Sequence, residues 1–128
     1  MKCLLDTHAF LWFVLDDLKL SSTARAIVED VSNTVFVSPA SYWEVAIKVS
    51  YQKLELFTDF ENFMEVGITG NAFRILPIEV KHVSQIVTMP LHHRDPFDRV
   101  IAAQALQESI PLVSIDHIFD AYGVTRIW

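Results

Sequence analysis

The sequence predicts an α/β protein in which a parallel sheet is covered by helices on both faces. Short apolar runs alternate with helical patterns along the whole chain, and neither a repeat nor a low-complexity linker interrupts them. Strands that alternate with helices form crossover units, which place the strands parallel and the helices on the faces of the sheet. A chain of 128 residues predicts one domain over residues 1–128.

Five strands and six helices follow from the local pattern. Short apolar or β-branched runs indicate strands, and a period near 3.6 residues indicates helices. The strands are predicted at residues 2–5, 34–38, 73–76, 111–115 and 124–127. The helices are predicted at residues 7–15, 22–31, 39–51, 59–66, 79–87 and 96–108.

Proline residues mark three of these predicted boundaries, two helix starts and one strand end. Ser38 and Asp95 each precede a proline, so each predicts an N-cap followed by proline in the first helical turn. Leu76 also precedes a proline, but it ends an apolar run. The residue before proline prefers extended geometry, so this pair closes the third strand.

Composition limits the classes of function. Hydrophobic residues make up 52% and charged residues 20%, which excludes a disordered chain. No apolar run approaches the roughly 20 residues that span a bilayer, and the N-terminus lacks the layout of a signal peptide. The single cysteine, Cys3, lies in a predicted strand. We therefore expect a cytoplasmic protein without a membrane partner, in which Cys3 is a reduced core residue.

The net charge does not decide the class of partner. A formal charge of −6 argues against a nucleic-acid partner. However, two bound divalent cations would offset four negative charges. The ten Lys and Arg residues could still form a local basic rim.

Four carboxylates stand at corresponding places in the predicted sheet. Asp6 follows the first strand and Asp116 follows the fourth. Glu44 lies in the second turn of the helix after the second strand, and Asp98 lies in the first turn of the helix before the fourth. Ligands of open parallel sheets bind at the carboxyl ends of the strands. Buried carboxylates need a positive partner, so the cluster predicts a divalent metal and hydrolytic chemistry.

Helical phase turns two of these acids inward. At 100° per residue, Glu44 shares the apolar face of its helix with Ile47. Asp98 lies in line with Ile101, whereas Gln104 falls on the opposite, outward side. Each acid should therefore face the interior.

Each acid also has an ordinary explanation when taken alone. Glu44 could pair with Lys48 one turn along the helix. Asp98 could complete the cap of its helix and interact with the helix dipole. Asp6 and Asp116 could be turn residues at strand ends. Only their joint convergence favours a site.

Neighbouring polar and aromatic residues are predicted to have structural roles. Asp95 is expected to cap a helix rather than bind metal. His92 and His93 are adjacent, and adjacent residues rarely converge on one ion in a regular element, so both are predicted as loop residues. Trp12 and Trp43 fit core packing better than base stacking.

Two arginines flank the third acid. Arg94 and Arg99 lie on either side of Asp98 in the sequence and could hold a phosphate group. A solvated surface role explains them equally well.

Four ordered motifs resemble the PIN-domain family. They are LLDTHAFLW, SYWEVAIK, DPFDRVIAAQA and LVSID, and together they extend over essentially the whole chain. Within the family they most resemble the VapC-type toxins of bacterial toxin–antitoxin modules. The resemblance implies a metal-dependent endoribonuclease with a three-layer α/β/α fold and a five-stranded parallel sheet in the order 3-2-1-4-5. It also implies a homodimer, and inhibition by a cognate antitoxin that inserts a segment near the site.

The same resemblance assigns the site residues. The acidic residues of the family correspond here to Asp6, Glu44, Asp98 and Asp116. Supporting roles fall on two hydroxyl residues. Thr7 follows the first acid and could orient it, and Ser114 stands where many relatives have threonine.

The expected chemistry is hydrolysis of RNA phosphodiester bonds with one or two Mg²⁺ or Mn²⁺ ions. Metal ions activate water and stabilise charge on the phosphate, and magnesium prefers oxygen ligands. Asp6 and Asp98 are the expected principal ligands. Glu44 could bind metal or position the water, and Asp116 could act through water.

The sequence argues against one rival class of protein and leaves a second open. A phospho-receiver domain has an acidic Mg²⁺ pocket on a similar scaffold, but it would require paired acids after the first strand and a lysine after the last. Here Asp6 is followed by Thr7 and His8. A catalytically silent PIN-like protein- or RNA-binding module is the second alternative.

Overall fold

A computed structural model describes the whole chain, Met1–Trp128, and contains one five-stranded sheet. The strands are β1 (Lys2–Leu5), β2 (Thr34–Val37), β3 (Arg74–Ile75), β4 (Leu112–Val113) and β5 (Arg126–Ile127). Their order is β3-β2-β1-β4-β5, and every pair is parallel. The predicted fold class and strand order are therefore confirmed.

All six predicted helices are present. They are α1 (Thr7–Val14), α2 (Ser22–Glu29), α3 (Pro39–Ser50), α4 (Phe60–Met64), α5 (Val80–Thr88) and α6 (Pro96–Glu108). A π-helical turn (Glu65–Thr69) continues α4, and a 3-10 turn (His117–Tyr122) follows β4. None of these helices combines the length and apolar character that crossing a membrane requires.

Side-chain caps fix where the helices near the carboxyl edge begin. The Ser38 hydroxyl accepts a hydrogen bond from the Ala40 amide at 3.1 Å, and Asp95 accepts one from the Phe97 amide at 2.8 Å. Each cap satisfies a backbone donor that the first helical turn leaves free. The predicted starts of α3 and α6 are thus confirmed.

The core lies on both faces of the sheet. Side chains alternate between the faces along a strand. Cys3 and Leu5 of β1 pack with α1, α2 and α4, whereas Leu4 packs with α6 on the other face. Cys3 is fully buried, and burial raises the pKa of its thiol to about 11. Its predicted role as a core residue is confirmed.

Helix α6 is buried on more sides than its sequence suggested. Gln104, expected to face outward, is fully buried, because α6 packs against both α3 and α5. Its side-chain amide donates to the backbone carbonyls of Leu76 at 2.9 Å and Pro77 at 3.3 Å. The expectation for Gln104 is wrong, and the residue ties α6 to the end of the β3 segment.

Candidate metal centre

The four acids lie around the carboxyl edge of the sheet. Asp6 directly follows β1, and Asp116 lies just beyond β4. Glu44 projects from α3 and Asp98 from the first turn of α6. Asp6 and Glu44 are buried, whereas the side chains of Asp98 and Asp116 are 19% and 33% exposed to solvent. The site therefore opens to solvent on the side of α6 and the loop after β4.

Asp6 is held by two donors. Its Oδ1 accepts a hydrogen bond from the Ala9 amide at 2.8 Å, which caps α1, and its Oδ2 accepts one from the Ser114 hydroxyl. Burial raises the pKa of Asp6, the two hydrogen bonds lower it in part, and the nearby charge of Asp116 raises it. Ser114 also accepts from the Asp116 amide at 3.0 Å. One hydroxyl thus links the acids after β1 and β4.

Glu44 points inward and is also paired. Its Oε1 accepts a hydrogen bond from the Thr7 hydroxyl at 2.8 Å, and its Oε2 lies 3.0 Å from the Lys48 ammonium. The i,i+4 pair considered from the sequence therefore exists, but with a carboxylate that is 7% exposed. Thr7 orients Glu44 rather than Asp6, so its expected partner was wrong.

Asp98 lies among other acids. The pKa of Asp98 is raised to about 8, first by burial and then by the negative charges of Asp95, Glu44, Asp6 and Asp116. A nearby positive charge lowers the pKa of a carboxyl group, so a cation bound at this edge would act against the shift.

His93 is a site residue that the sequence did not reveal. Its Nε2 lies 3.0 Å from an oxygen of Asp98 and 3.0 Å from an oxygen of Asp116. Its Nδ1 accepts a hydrogen bond from the Asp95 amide at 3.1 Å. The prediction of a loop position is correct, but the loop folds over the site. The only local signal was its place two residues before the cap of α6.

Asp95 has the predicted capping role and also lies close to two of the four acids. It caps α6, as expected. One of its oxygens also lies within 4.8 Å of carboxylate oxygens of Glu44 and Asp98. Asp95 therefore adds negative charge to the same edge without having been counted among the four acids.

Trp43 does not belong to the core. It is 61% exposed, and it stands next to Glu44 on α3. Its ring meets the edge of Phe97 with centroids 5.1 Å apart, and Phe97 precedes Asp98 on α6. The expectation of core packing is wrong for Trp43, although Trp12 does pack against the core.

The two arginines occupy different environments. Arg99 donates to the Pro90 carbonyl at 3.2 Å and lies 3.5 Å from the Tyr122 hydroxyl, so it braces the loop before α6. Arg94 is exposed in that loop, between His93 and Asp95. Of the two, Arg94 has the side chain that is free to reach a bound phosphate.

The donor set fits a hard divalent cation. One group of ligand atoms within 4.8 Å of one another comes from Glu44, Asp95 and Asp98, and a second comes from His93, Asp98 and Asp116. Asp98 belongs to both groups, whereas Asp6, an expected principal ligand, belongs to neither. Carboxylate oxygens are the ligands that Mg²⁺ and Mn²⁺ prefer.

Comparison with known proteins identifies the fold. The model of the PIN domain family matches residues 3–124. No curated protein matches the chain in sequence. Among solved structures, VapBC2 from Rickettsia felis bound to a promoter DNA fragment is 16% identical, covers 99% of this chain and 98% of its own, and has a TM-score of 0.71.

Two further structures have the same architecture. FitAcB from Neisseria gonorrhoeae is 22% identical, with 98% of this chain and 96% of that chain covered and a TM-score of 0.66. VapC20 from Mycobacterium tuberculosis, described as a toxin that cleaves the sarcin–ricin loop, is 15% identical, with 95% of both chains covered and a TM-score of 0.64. At such identities the likeness establishes the fold.

Proposed function

Because this chain belongs to the PIN domain family, we propose that it is a metal-dependent endoribonuclease and the toxin of a toxin–antitoxin module. The observation that carries the proposal is the placement of four acids from four separate elements around one edge of the sheet, where burial and neighbouring acids raise the pKa of Asp98. Such an arrangement costs stability unless a cation binds it. We infer that the fold tolerates this cost because the acids are needed for catalysis.

In this proposal the carboxylates hold one or two Mg²⁺ or Mn²⁺ ions. Asp6 and Asp98 are the principal ligands, and Glu44 and Asp116 bind directly or through water. A bound ion would activate a water molecule and neutralise charge on the phosphate. Thr7 and Ser114 complete the proposed site, and they support the acids through hydrogen bonds.

Hydrogen bonds within the protein already orient two of the proposed metal ligands. The Ala9 amide and the Ser114 hydroxyl fix both oxygens of Asp6, and Thr7 fixes one oxygen of Glu44. Each hydrogen bond removes rotational freedom from a ligand, which is how supporting groups raise metal affinity.

RNA with unpaired bases is the proposed substrate. The exposed indole of Trp43 stands beside Glu44, and its partner Phe97 stands beside Asp98. Unpaired bases stack on such aromatic rings, and each stack contributes about 1–3 kcal/mol. Arg94 would contact a phosphate near the site. Acting on RNA would place the protein in the cytoplasm. The description of VapC20 as a toxin that cleaves the sarcin–ricin loop supports this choice of substrate.

The proposed partners are an antitoxin and a second copy of the chain. The similar structures include the VapBC2 and FitAcB assemblies, one of them bound to promoter DNA. We propose that residues 1–128 form a single PIN-like domain that an antitoxin inhibits by inserting a segment near the four acids. A homodimer belongs to the same proposal.

Cleavage assays on purified protein test the enzyme. RNAs with and without unpaired loops are incubated with Mg²⁺ or Mn²⁺ and with the variants Asp6→Asn and Asp98→Asn. We expect cleavage of the looped RNA to fall by about two to three orders of magnitude in each variant, as for loss of a principal electrostatic group. Equal cleavage by wild type and both variants would show that these acids are not catalytic.

Asp16→Asn is the matched control. Asp16 is 87% exposed in its side chain, pairs with Arg25 and has a φ of 52°, a conformation that asparagine tolerates. It changes the same functional group outside the site. We expect this variant to cleave RNA at the wild-type rate.

A catalytically silent binding module is the second candidate. The Lys48 ammonium already pairs with Glu44, and His93 contacts Asp98 and Asp116, so three of the four acids have partners in the protein itself. This candidate predicts that wild type binds looped RNA but leaves it intact at saturating Mn²⁺. Metal-dependent cleavage that is lost in Asp6→Asn would exclude it.

A further inference from the structure

His93 stands between two acids of the candidate metal centre, on a loop that the resemblance did not implicate. Its Nε2 is equidistant, at 3.0 Å, from an oxygen of Asp98 and an oxygen of Asp116. Its side chain is 15% exposed. We propose that His93 is a positioning residue, an inference that rests on the proposed function. Its Nε2–H donates to both Asp98 and Asp116 and so links them, and the ring is not a metal ligand.

The hydrogen bond on the other side of the ring determines where the proton lies. Nδ1 of His93 accepts the backbone amide of Asp95 at 3.1 Å. A nitrogen that accepts carries a lone pair and no proton, so the neutral ring has its proton on Nε2. The atom that faces Asp98 and Asp116 is therefore a donor.

The same hydrogen bond excludes metal ligation in this orientation. A metal bound at Nε2 would require the ring proton to move to Nδ1. There it would oppose the amide hydrogen of Asp95, and two donors would face each other. Ligand atoms of His93, Asp98 and Asp116 all lie within 4.8 Å of one another, a mixed set that would suit Zn²⁺. Because the hydrogen bond from the Asp95 amide excludes the histidine nitrogen as a ligand, only the carboxylate oxygens remain. An all-oxygen set of this kind suits Mg²⁺ and Mn²⁺.

The loop around His93 is anchored, so the ring is held in place. The backbone amides of His92 and His93 donate to the Tyr122 hydroxyl at 3.1 and 2.7 Å. The His93 ring also lies 6.0 Å, between centroids, from the buried ring of Phe119. These contacts thus join the loop to the 3-10 turn after β4.

The tie matters because nothing else joins these two acids directly. Asp116 is oriented by the Ile118 amide, which donates to its Oδ1 at 3.0 Å. Carboxylate oxygens of Glu44 and Asp95 lie within 4.8 Å of one from Asp98, and like charges repel one another. The Nε2–H of His93 offsets that repulsion and leaves the second oxygen of Asp98 available for an ion.

The tautomer can be measured without metal. Long-range ¹H–¹⁵N spectra of the full chain labelled at histidine nitrogens, recorded in EDTA, report which ring nitrogen carries the proton, and His93→Gln assigns the signal. We expect an Nε2–H tautomer with an unprotonated Nδ1. A proton on Nδ1 would overturn the inference, because the Asp95 amide would then not set the donor.

Metal binding tests the positioning role. Mn²⁺ affinity is measured for wild type, His93→Ala and His93→Gln. Loss of a group that orients metal ligands typically weakens binding about tenfold or more, and we expect this for His93→Ala. His93→Gln keeps an N–H donor and should recover much of the loss. His93→Ala with wild-type affinity would contradict the role.

Pulsed EPR of the bound Mn²⁺ separates positioning from ligation. We expect no directly coordinated nitrogen in wild type, and a nitrogen coupling that disappears in His93→Ala would show that His93 is a ligand. His92→Gln is the control on the neighbouring exposed ring and should keep wild-type affinity. If wild type binds no Mn²⁺, the proposed function fails, and the tautomer alone decides the inference.

Discussion

The acids of this protein fall into two regions with opposite electrostatics. On the outer surface the pKa of Asp59 is lowered by hydrogen bonds from the backbone and side chain of Asn62. The pKa of Asp120 is likewise lowered by hydrogen bonds from Arg126. At the carboxyl edge of the sheet, burial raises the pKa of Asp6 and that of Asp98.

The comparison separates carboxylates whose ionisation stabilises the native state from carboxylates whose ionisation destabilises it. Surface acids face donors and cations, so ionisation favours the native state. In the site, the dominant effect on Asp98 is burial, and the charged neighbours that follow are all acids. Ionisation there opposes folding. A divalent cation would reverse this, which is why the comparison bears on function.

The largest expected effect is a fall in stability with rising pH in the metal-free protein. The pKa of Asp98 is raised from 3.8 to about 8, so between these values the folded state keeps a proton that the unfolded state has released. The unfolding free energy should fall by about 1.4 kcal/mol per pH unit from this residue. Denaturant unfolding in EDTA from pH 5 to 8 measures it. Asp98→Asn should lack that part of the slope, and parallel curves for the two proteins would contradict the assignment.

Metal should stabilise the site and leave the surface unaffected. A ligand at 100 times its Kd stabilises the folded state by about 2.7 kcal/mol. Thermal unfolding with increasing Mn²⁺ should show this for wild type and for Asp120→Asn, whose altered acid pairs with Arg126 on the surface. Asp6→Asn and Asp98→Asn should lose most of the shift. Equal shifts in all four proteins would place the ion elsewhere.

Removing the hydroxyl that supports Asp6 should have a smaller effect. Ser114→Ala leaves a buried carboxylate oxygen without its donor, and such losses cost about 1–3 kcal/mol. Ser114→Thr keeps the hydroxyl and is the matched control. Denaturant unfolding of both variants in EDTA decides the point, since similar stabilities would mean that the hydroxyl contributes nothing.

The smallest effect is expected at Thr7. Thr7→Val keeps the shape of the side chain but removes the donor to Glu44, which should cost about 1 kcal/mol. Lys48 still contacts the other oxygen of Glu44, so Mn²⁺ affinity should change little. Thr7→Ser is the control for the hydroxyl. A loss of Mn²⁺ binding as large as that in Asp98→Asn would assign Thr7 a more direct role.

The sequence was sufficient to predict the sheet and the edge of it that the four acids share. Both follow from chain direction, because parallel strands place their carboxyl ends at one edge. Asp6 and Asp116 needed only the positions of the strand ends, and the inward turn of Glu44 and Asp98 needed only helical phase. The strand order came from the resemblance to the PIN-domain family.

The residues that the sequence misplaced depend on contacts between distant segments. His93 reaches the site because its backbone amide bonds to Tyr122, and no local pattern encodes that contact. Gln104 is buried because α6 packs against two other helices. Trp43 is exposed although its neighbour Glu44 points inward. The periodicity of apolar residues predicts which side chains share a face of a helix. How many of those faces are buried depends on which other elements pack against the helix.

Anomalous diffraction from crystals grown with Mn²⁺ tests most directly whether the four acids form a metal site. A peak coordinated by oxygens of Asp6 and Asp98, with Nε2 of His93 bonded to carboxylates instead, is the expected result. At saturating Mn²⁺, an edge of the sheet without a peak would mean that these acids serve some purpose other than metal-dependent hydrolysis.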